Sequence, residues 1–279
     1  MTKLPYLNLG CGSHFNAQWV NVDFSKNGEG VIAHNLLKGI PFADNTFEVV
    51  YHSHVLEHFS KDDGVLFIKE CYRVLKPGGI LRIAVPDLEQ IVNNYARLLM
   101  LGKKEPDNGK IRADYEWMMI EMYDQTVRNN GGGEMLKYLA EKKLVNEDFV
   151  IKRIGYEGEM LRKNILNAVP QKKQLFSRKI YHFARRLLSL RNYRQWLLKL
   201  LFSKEYKLLE LAWFRQSGEI HQWMYDIYSI RHLLDTIGFK HIAQKDFNES
   251  DISNWSSFKL DQVDNKIRKP DSLFVEAVK

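Results

Sequence analysis

Two cysteines, Cys11 and Cys71, are all that this 279-residue chain contains. So few exclude a disulfide framework and a cysteine-rich zinc site, and they fit a reducing compartment. No apolar run approaches the ~18 residues that a spanning helix needs. No signal-like apolar core follows Met1-Thr2-Lys3, which leads straight into Leu7-Asn8-Leu9. The expectation is a cytosolic chain. Internal repeats are missing, and low-complexity sequence is confined to Gly131-Gly132-Gly133. What is present is ordinary for a globular protein, with 45% hydrophobic and 27% charged residues. The length allows one large core with a smaller accessory region.

The charge is uneven. Residues 161–207 hold thirteen Lys/Arg and one acid, Glu205, so this block is +12 in a chain of net charge +7 and leaves −5 elsewhere. A localised basic block says more about partners than the average does. Within it Phe176, Ile180, Phe183, Ala184, Leu187 and Leu188 keep helical spacing, while Arg178, Lys179, Arg185 and Arg186 fall largely off that stripe. A basic amphipathic helix suits peripheral contact with an anionic membrane through residues 175–202, at its cytoplasmic face. A helix packed on the core with a solvated basic face accounts for the same pattern. So does a nucleic acid, although no RNA-binding module is recognisable.

Short apolar runs predict strands at 6–10, 19–23, 31–33, 47–52 and 80–85. Val65, Ile68, Tyr72 and Leu75 recur at helical spacing over 62–75, and Lys76-Pro77-Gly78-Gly79 supplies stop signals. Near the end, Ile227, Ile230, Leu233, Leu234 and Ile237 form a helical stripe closed by Gly238. Strands follow at 240–246 and 273–278. Alternation of strands and helices indicates a mostly parallel sheet covered on both faces. The expected organisation is a core of residues 1–95 and 221–279, interrupted after the fifth strand by a helical insertion of residues 96–220. An insertion that long should have a fold or function of its own.

Leu7-Asn8-Leu9-Gly10-Cys11-Gly12 places two glycines where the first strand turns, allowing positive φ and close approach of a ligand. Asp23 ends the next strand, where an acid can grip both ribose hydroxyls of a nucleotide. A tight turn alone would also use these glycines. An NAD site is disfavoured: the third glycine of its fingerprint is replaced by Phe15, and Asp23 follows Gly12 by eleven residues rather than about 20. The pyrophosphate cradle is incomplete, which suits a nucleoside cofactor without phosphate.

Further blocks follow in order: Ile40-Pro41-Phe42-Ala43-Asp44-Asn45-Thr46-Phe47-Glu48-Val49-Val50, then Ser53-His54-Val55-Leu56-Glu57-His58, then Arg73-Val74-Leu75-Lys76-Pro77-Gly78-Gly79. With the glycine turn and Asp23, they make the chain resemble a class I S-adenosylmethionine (SAM)-dependent methyltransferase of the "methyltransferase type 11" kind. The resemblance covers about residues 5–87 and, more weakly, 226–279. It implies a Rossmann-like α/β fold with a seven-stranded, mostly parallel sheet whose last strand is reversed, and it implies SAM as cofactor. By this resemblance Gly10, Cys11 and Gly12 line the methionine and ribose, and Asp23 binds the ribose hydroxyls. Asn35 and Leu36 flank the adenine, and Ser53 and His54 sit near the donor methionine. Asn8 stands where many relatives have an acid facing the SAM amine, and Asn35 replaces a frequent Asp whose acceptor role its amide oxygen can keep. The blocks at 122–128, 217–226 and 269–273 extend the resemblance to methyltransferases associated with bacterial surface-polysaccharide synthesis.

Methyl transfer to a hydroxyl benefits from a general base. The candidates are His221, His54 and Asp87, with His58 behind them; hydrogen bonding in a loop or, for Asp87, a helix N-cap are the structural alternatives. His54-x-x-Glu57-His58 matches a zinc-peptidase pattern, but a third ligand is needed and none is apparent, so no metal is expected. Asp124, Gln125 and Arg128 share a helical turn and, with Trp223, could bind a sugar; a buried polar network would look the same. Tyr115, Trp117, Met118, Met119, Met122 and Tyr123 read as core. The expected reaction is SAM-dependent methylation of a small or glycan hydroxyl. The rivals are an RNA methyltransferase and a non-catalytic SAM-binding protein. The oligomeric state is not legible.

Overall fold

A computed structural model describes residues 4–167 and 198–279. The segment proposed to meet a membrane, 175–202, therefore lies mostly outside the described residues, including Arg178, Lys179, Arg185 and Arg186.

Seven strands form one sheet: β1 Tyr6–Leu9, β2 Val20–Asp23, β3 Val31–Ala33, β4 Phe47–Ser53, β5 Leu75–Pro86, β6 Lys240–Lys245 and β7 Ser272–Val278. Their order is β3-β2-β1-β4-β5-β7-β6. β1 to β5 are mutually parallel, and β7 runs antiparallel to both β5 and β6. This is the seven-stranded, mostly parallel α/β sheet with a reversed last strand that was expected. The strand order reverses direction between β1 and β4, and such a switch point opens a crevice at the carboxyl ends of the strands.

Helix α1 (Lys61–Val74) starts at Ser60, whose hydroxyl accepts from the Asp63 amide. Its end corrects the sequence expectation. Leu75 is already extended and opens β5, and Lys76 after it cannot readily resume the helix because it precedes Pro77. Gly78, at φ +78°, serves the irregularity that follows, where the β4–β5 register shifts, and not the helix cap. α1 and the helix Ile227–Ile237 bury Phe67, Ile68, Ile230 and Leu234 against one face of the sheet. Asp226 and Ser229 form a reciprocal capping box, and Gly238 closes the helix in the left-handed region. The opposite face is covered by an aromatic group, Trp19, Tyr51, Trp255 and Phe258, carried partly by residues 252–260.

The inserted region has its own core. α2 (Leu88–Lys104), α3 (Gly109–Val127), α4 (Gly133–Leu139) and α5 (Glu147–Leu166) pack Ile91, Leu98, Trp117, Met118, Leu139 and Val150 together. Trp117 and Met118 are core as expected, whereas Tyr123 is exposed. α2 runs straight across residue 96, so the helical layer begins where β5 ends. At Gly155 (φ +64°, ψ −154°) α5 kinks against the core, and a Cβ there would lie 2.3 Å from Pro270 Cδ. Among the described residues no helix is long and apolar enough to cross a membrane.

Candidate active site

Gly10, Asp23, Asn35, Ser53, His54 and Asp87 all leave the carboxyl ends of parallel strands, so the sheet itself gathers them along one edge. Ser272 joins them because β7 is reversed and its first residue pairs with Pro86 at the end of β5.

The glycine turn is built for close approach. Gly10 (φ +62°) has room for no side chain, since a Cβ would lie 2.3 Å from Val55 Cγ2. Gly12 (φ +54°) has nothing within 4 Å of such a Cβ and so keeps its backbone open. The Gly12 amide donates to Asp23 Oδ2 at 2.8 Å, which ties the turn to the acid eleven residues on. Asp23 Oδ1 accepts from the Ser25 amide and from Asn27 Nδ2, so the carboxylate is held in place. Burial, with Asp23 adding to it, pushes the Cys11 thiol up to about 11. Cys11 is thus a neutral packing group at physiological pH and not a nucleophile.

Other expected residues are more committed than the sequence suggested. Asn8 is buried and donates from Nδ2 to Asn21 Oδ1, an interior contact between β1 and β2 and not an open cofactor contact. Asn35 Oδ1 accepts from the Leu37 amide and caps the short 3-10 helix Leu36–Lys38. Asp87 caps α2, accepting from the Glu89 and Gln90 amides. Asp124 accepts from the Glu134 and Met135 amides, so the residue expected to touch a sugar instead anchors the start of α4. Arg128 donates from Nη2 to the Glu219 carbonyl. The Gln125 carbonyl accepts from the His221 amide. Trp223 stays 41% exposed, with Lys61 Nζ 5.2 Å from its ring centre. Phe24, directly after Asp23, is 72% exposed.

The histidines converge. His54 takes positive φ (+55°); its Nε2 lies 2.8 Å from Ser272 Oγ and its Nδ1 3.2 Å from Glu57 Oε1. Glu57 and His58 form the short 3-10 helix Leu56–His58. The segment 220–223 is stitched onto that turn: the Gln222 and Trp223 amides donate to the Glu57 carbonyl, and Gln222 Nε2 to the His58 carbonyl. His221 thereby comes to 4.0 Å from Glu57 Oε1, and its ring meets His58 edge to face at 4.8 Å. Burial pushes His221 down to about 3 and lowers His58 as well, with Glu57 opposing both. Burial thus disfavours the charged form of both rings. Burial works against the Glu57 charge, but His54, His221 and His58 outweigh it and hold the carboxyl below its ordinary range.

Comparison with known proteins fits this edge. Residues 7–83 match the family described as "Methyltransferase domain". Over 75 residues the chain is 33% identical to a Mycolicibacterium smegmatis protein named "Probable S-adenosylmethionine-dependent methyltransferase", covering 27% of this chain and 25% of that one. Over 60 residues it is 43% identical to a protein of Aspergillus luteorubrus named "Probable methyltransferase", covering 20% of this chain and 21% of the other. The chain thus spans a quarter or less of the length of these relatives. A crystal structure described as a SAM-dependent methyltransferase of Archaeoglobus fulgidus matches with 11% identity over 100% of this chain and 86% of that one, at a TM-score of 0.39. The methyltransferase-domain match covers β1 to β4, α1 and most of β5, the part that carries the glycine turn, Asp23 and the His54–His58 turn.

Proposed function

We propose that this chain is a SAM-dependent methyltransferase acting on a hydroxyl of a sugar-like acceptor, of the kind found in bacterial surface-glycan precursors. The observation that carries the reading is the joined pair at the switch point: an open glycine turn whose Gly12 amide is bonded to Asp23. Its fit to SAM is physical. The turn offers open backbone and a ribose-gripping carboxylate but no phosphate cradle, and SAM has a ribose and no phosphate. Asp23 would take the ribose hydroxyls, Gly10, Cys11 and Gly12 would flank ribose and methionine, and Phe24, Asn35 and Leu36 would border the adenine. When bound, SAM supplies an electrophilic methyl group. The protein's own part is mainly to orient donor and acceptor in line. Gln125, Arg128 and Trp223, beside His221, border the acceptor side in this reading.

Replacing Asp23 by Ala removes a charge-assisted bond to the ribose, worth roughly 1.5–3 kcal/mol. Calorimetry should show SAM binding weakened by about tenfold or more. Unchanged affinity would refute the assignment. For the acceptor, mass spectrometry of cell-envelope glycans with and without the gene should show one methyl group lost. Unaltered glycans together with salt-sensitive RNA binding would transfer the activity to RNA.

A second reading concerns the basic segment. At its described end Leu200, Leu201 and Phe202 are exposed, as are Leu208 and Trp213 on the helix Ser203–Arg215. These apolar groups support peripheral attachment to an anionic membrane, where each nearby Lys or Arg adds about 1 kcal/mol. Sedimentation with anionic and neutral liposomes at low salt should show the chain pelleting with the anionic vesicles only. Equal recovery in both supernatants refutes the attachment.

A further inference from the structure

We infer that Glu57, His58 and His221 form a binding site for one divalent transition-metal ion, of the Zn²⁺ or Mn²⁺ class. One ligand atom from each of these residues lies within 4.8 Å of the other two, so a single ion could reach all three. Two imidazoles with one carboxylate suit zinc and its neighbours better than Mg²⁺, which prefers an all-oxygen shell.

The independent observation is Glu57 itself. It is fully buried; Oε1 meets only His54 Nδ1 at 3.2 Å and His221 Nε2 at 4.0 Å, and Oε2 has no hydrogen-bond partner among the described residues. A buried carboxylate left this way is costly. A divalent cation between it and the two rings satisfies both oxygens and balances the charge. The His58 ring is also prepared. His58 Nδ1 lies 3.2 Å from the Ile220 carbonyl, and a carbonyl can only accept, so the ring proton sits on Nδ1. That leaves the Nε2 lone pair free, the arrangement usual for a metal-binding histidine. The zinc-peptidase pattern was half legible in the sequence, but the ligand set differs: His54 gives way to Glu57, and the third ligand comes from residue 221.

The site's role rests on the methyltransferase reading. Val55 packs over Gly10, two residues before Glu57, so the ion would sit beside the donor pocket. Three protein ligands leave coordination positions free for an acceptor hydroxyl. Coordination lowers that hydroxyl's pKa. Its proton passes to solvent water, the O–CH3 bond forms, and the S–CH3 bond breaks with its electron pair remaining on sulfur.

The test is metal uptake by the tag-free full-length chain, stripped with chelator and free of SAM. Equilibrium dialysis against ZnCl2 or MnCl2 with elemental analysis should give one equivalent per chain, and the Tm should rise with added metal. Glu57→Gln and His221→Asn should each weaken uptake by at least tenfold (about the least that loss of even an indirect partner costs) and abolish the metal-dependent Tm rise. Glu57→Gln keeps the side-chain volume, and its metal-free Tm is measured beside its uptake, so a folded Glu57→Gln carries the test if His221→Asn fails to fold. No saturable uptake by the wild-type chain, while SAM still binds, overturns the site and leaves the methyltransferase reading intact. Uptake unaffected by either variant overturns the ligand assignment. Uptake by a chain that does not bind SAM supports the site and overturns the methyltransferase reading.

Discussion

Replacing Arg82 by Met is expected to destabilise the fold by about 3–5 kcal/mol, the range for breaking a buried ion pair from one side. Arg82 lies in the middle of β5 and is fully buried. Nε donates to Asp261 Oδ2 at 2.9 Å and Nη1 to Glu276 Oε1 at 2.7 Å. Its remaining donors reach the Glu249, Asp246 and Phe247 carbonyls, and the guanidinium lies 4.4 Å from the Trp255 ring centre. One cation thus fastens β7 and the 246–261 segment to the centre of the sheet. Methionine keeps most of the length but takes from the buried Asp261 and Glu276 their shared guanidinium, leaving only the more distant Arg268 and Lys245 charges. Urea denaturation should show a lower midpoint with unchanged slope. The loss should shrink as the pH is lowered. Burial raises the Asp261 carboxyl, and without Arg82 that rise has less to oppose it. A folded pKa above the unfolded one penalises folding at neutral pH and relieves the penalty as the carboxyl takes up a proton. A midpoint within error of wild type at neutral pH would show that the network contributes nothing measurable.

Gly10→Ala is expected to cost about 2–5 kcal/mol and to abolish measurable SAM binding. Two strains add there. A non-glycine residue at φ +62° costs roughly 1–2 kcal/mol. A Cβ placed 2.3 Å from Val55 Cγ2 forces overpacking, typically another 1–3 kcal/mol. Val55 cannot yield freely, because it leads into the Leu56–His58 turn that the 220–223 segment is bonded onto. The double variant Gly10→Ala/Val55→Ala should recover part of the stability and little of the binding, since it relieves the clash and not the backbone strain. Calorimetry and thermal melts separate the two terms. Gly10→Ala with wild-type SAM affinity would remove the glycine turn from the cofactor site.

The same residues show why some of this was readable along the chain. The glycine turn, Asp23 and the alternation of strands and helices are local. Each depends on residues within about a dozen positions, and backbone geometry forces their consequences. The gathering of strand ends at one edge follows once the strands are parallel, so Gly10, Asp23, Asn35, Ser53 and His54 could be placed at that edge before the fold was seen. The fates of Asp87, Asn35 and Asp124 were not. A short acid or amide near a chain turn serves a ligand or a backbone amide equally well, and only the position of α2, the Leu36–Lys38 turn or α4 decides which. The helix end at Val74 was misread for a related reason: proline acted on the residue before it, and the glycines served a register shift.

The sequence alone determined the alternation of strands and helices in a mostly parallel sheet and the glycine–acid pair, because these arise from local backbone preferences and short-range periodicity; the strand order with its switch point is a property of the folded sheet. Tertiary structure decided which distant groups meet. His58 and Ile220 are 162 residues apart in the chain, and the inserted helices intervene before 220–223 returns to the Glu57–His58 turn. Arg82 reaches across 179 residues to Asp261. No periodicity encodes such pairings. They depend on where an insertion re-enters the core and on which buried charge needs a partner, and those are properties of the packed chain.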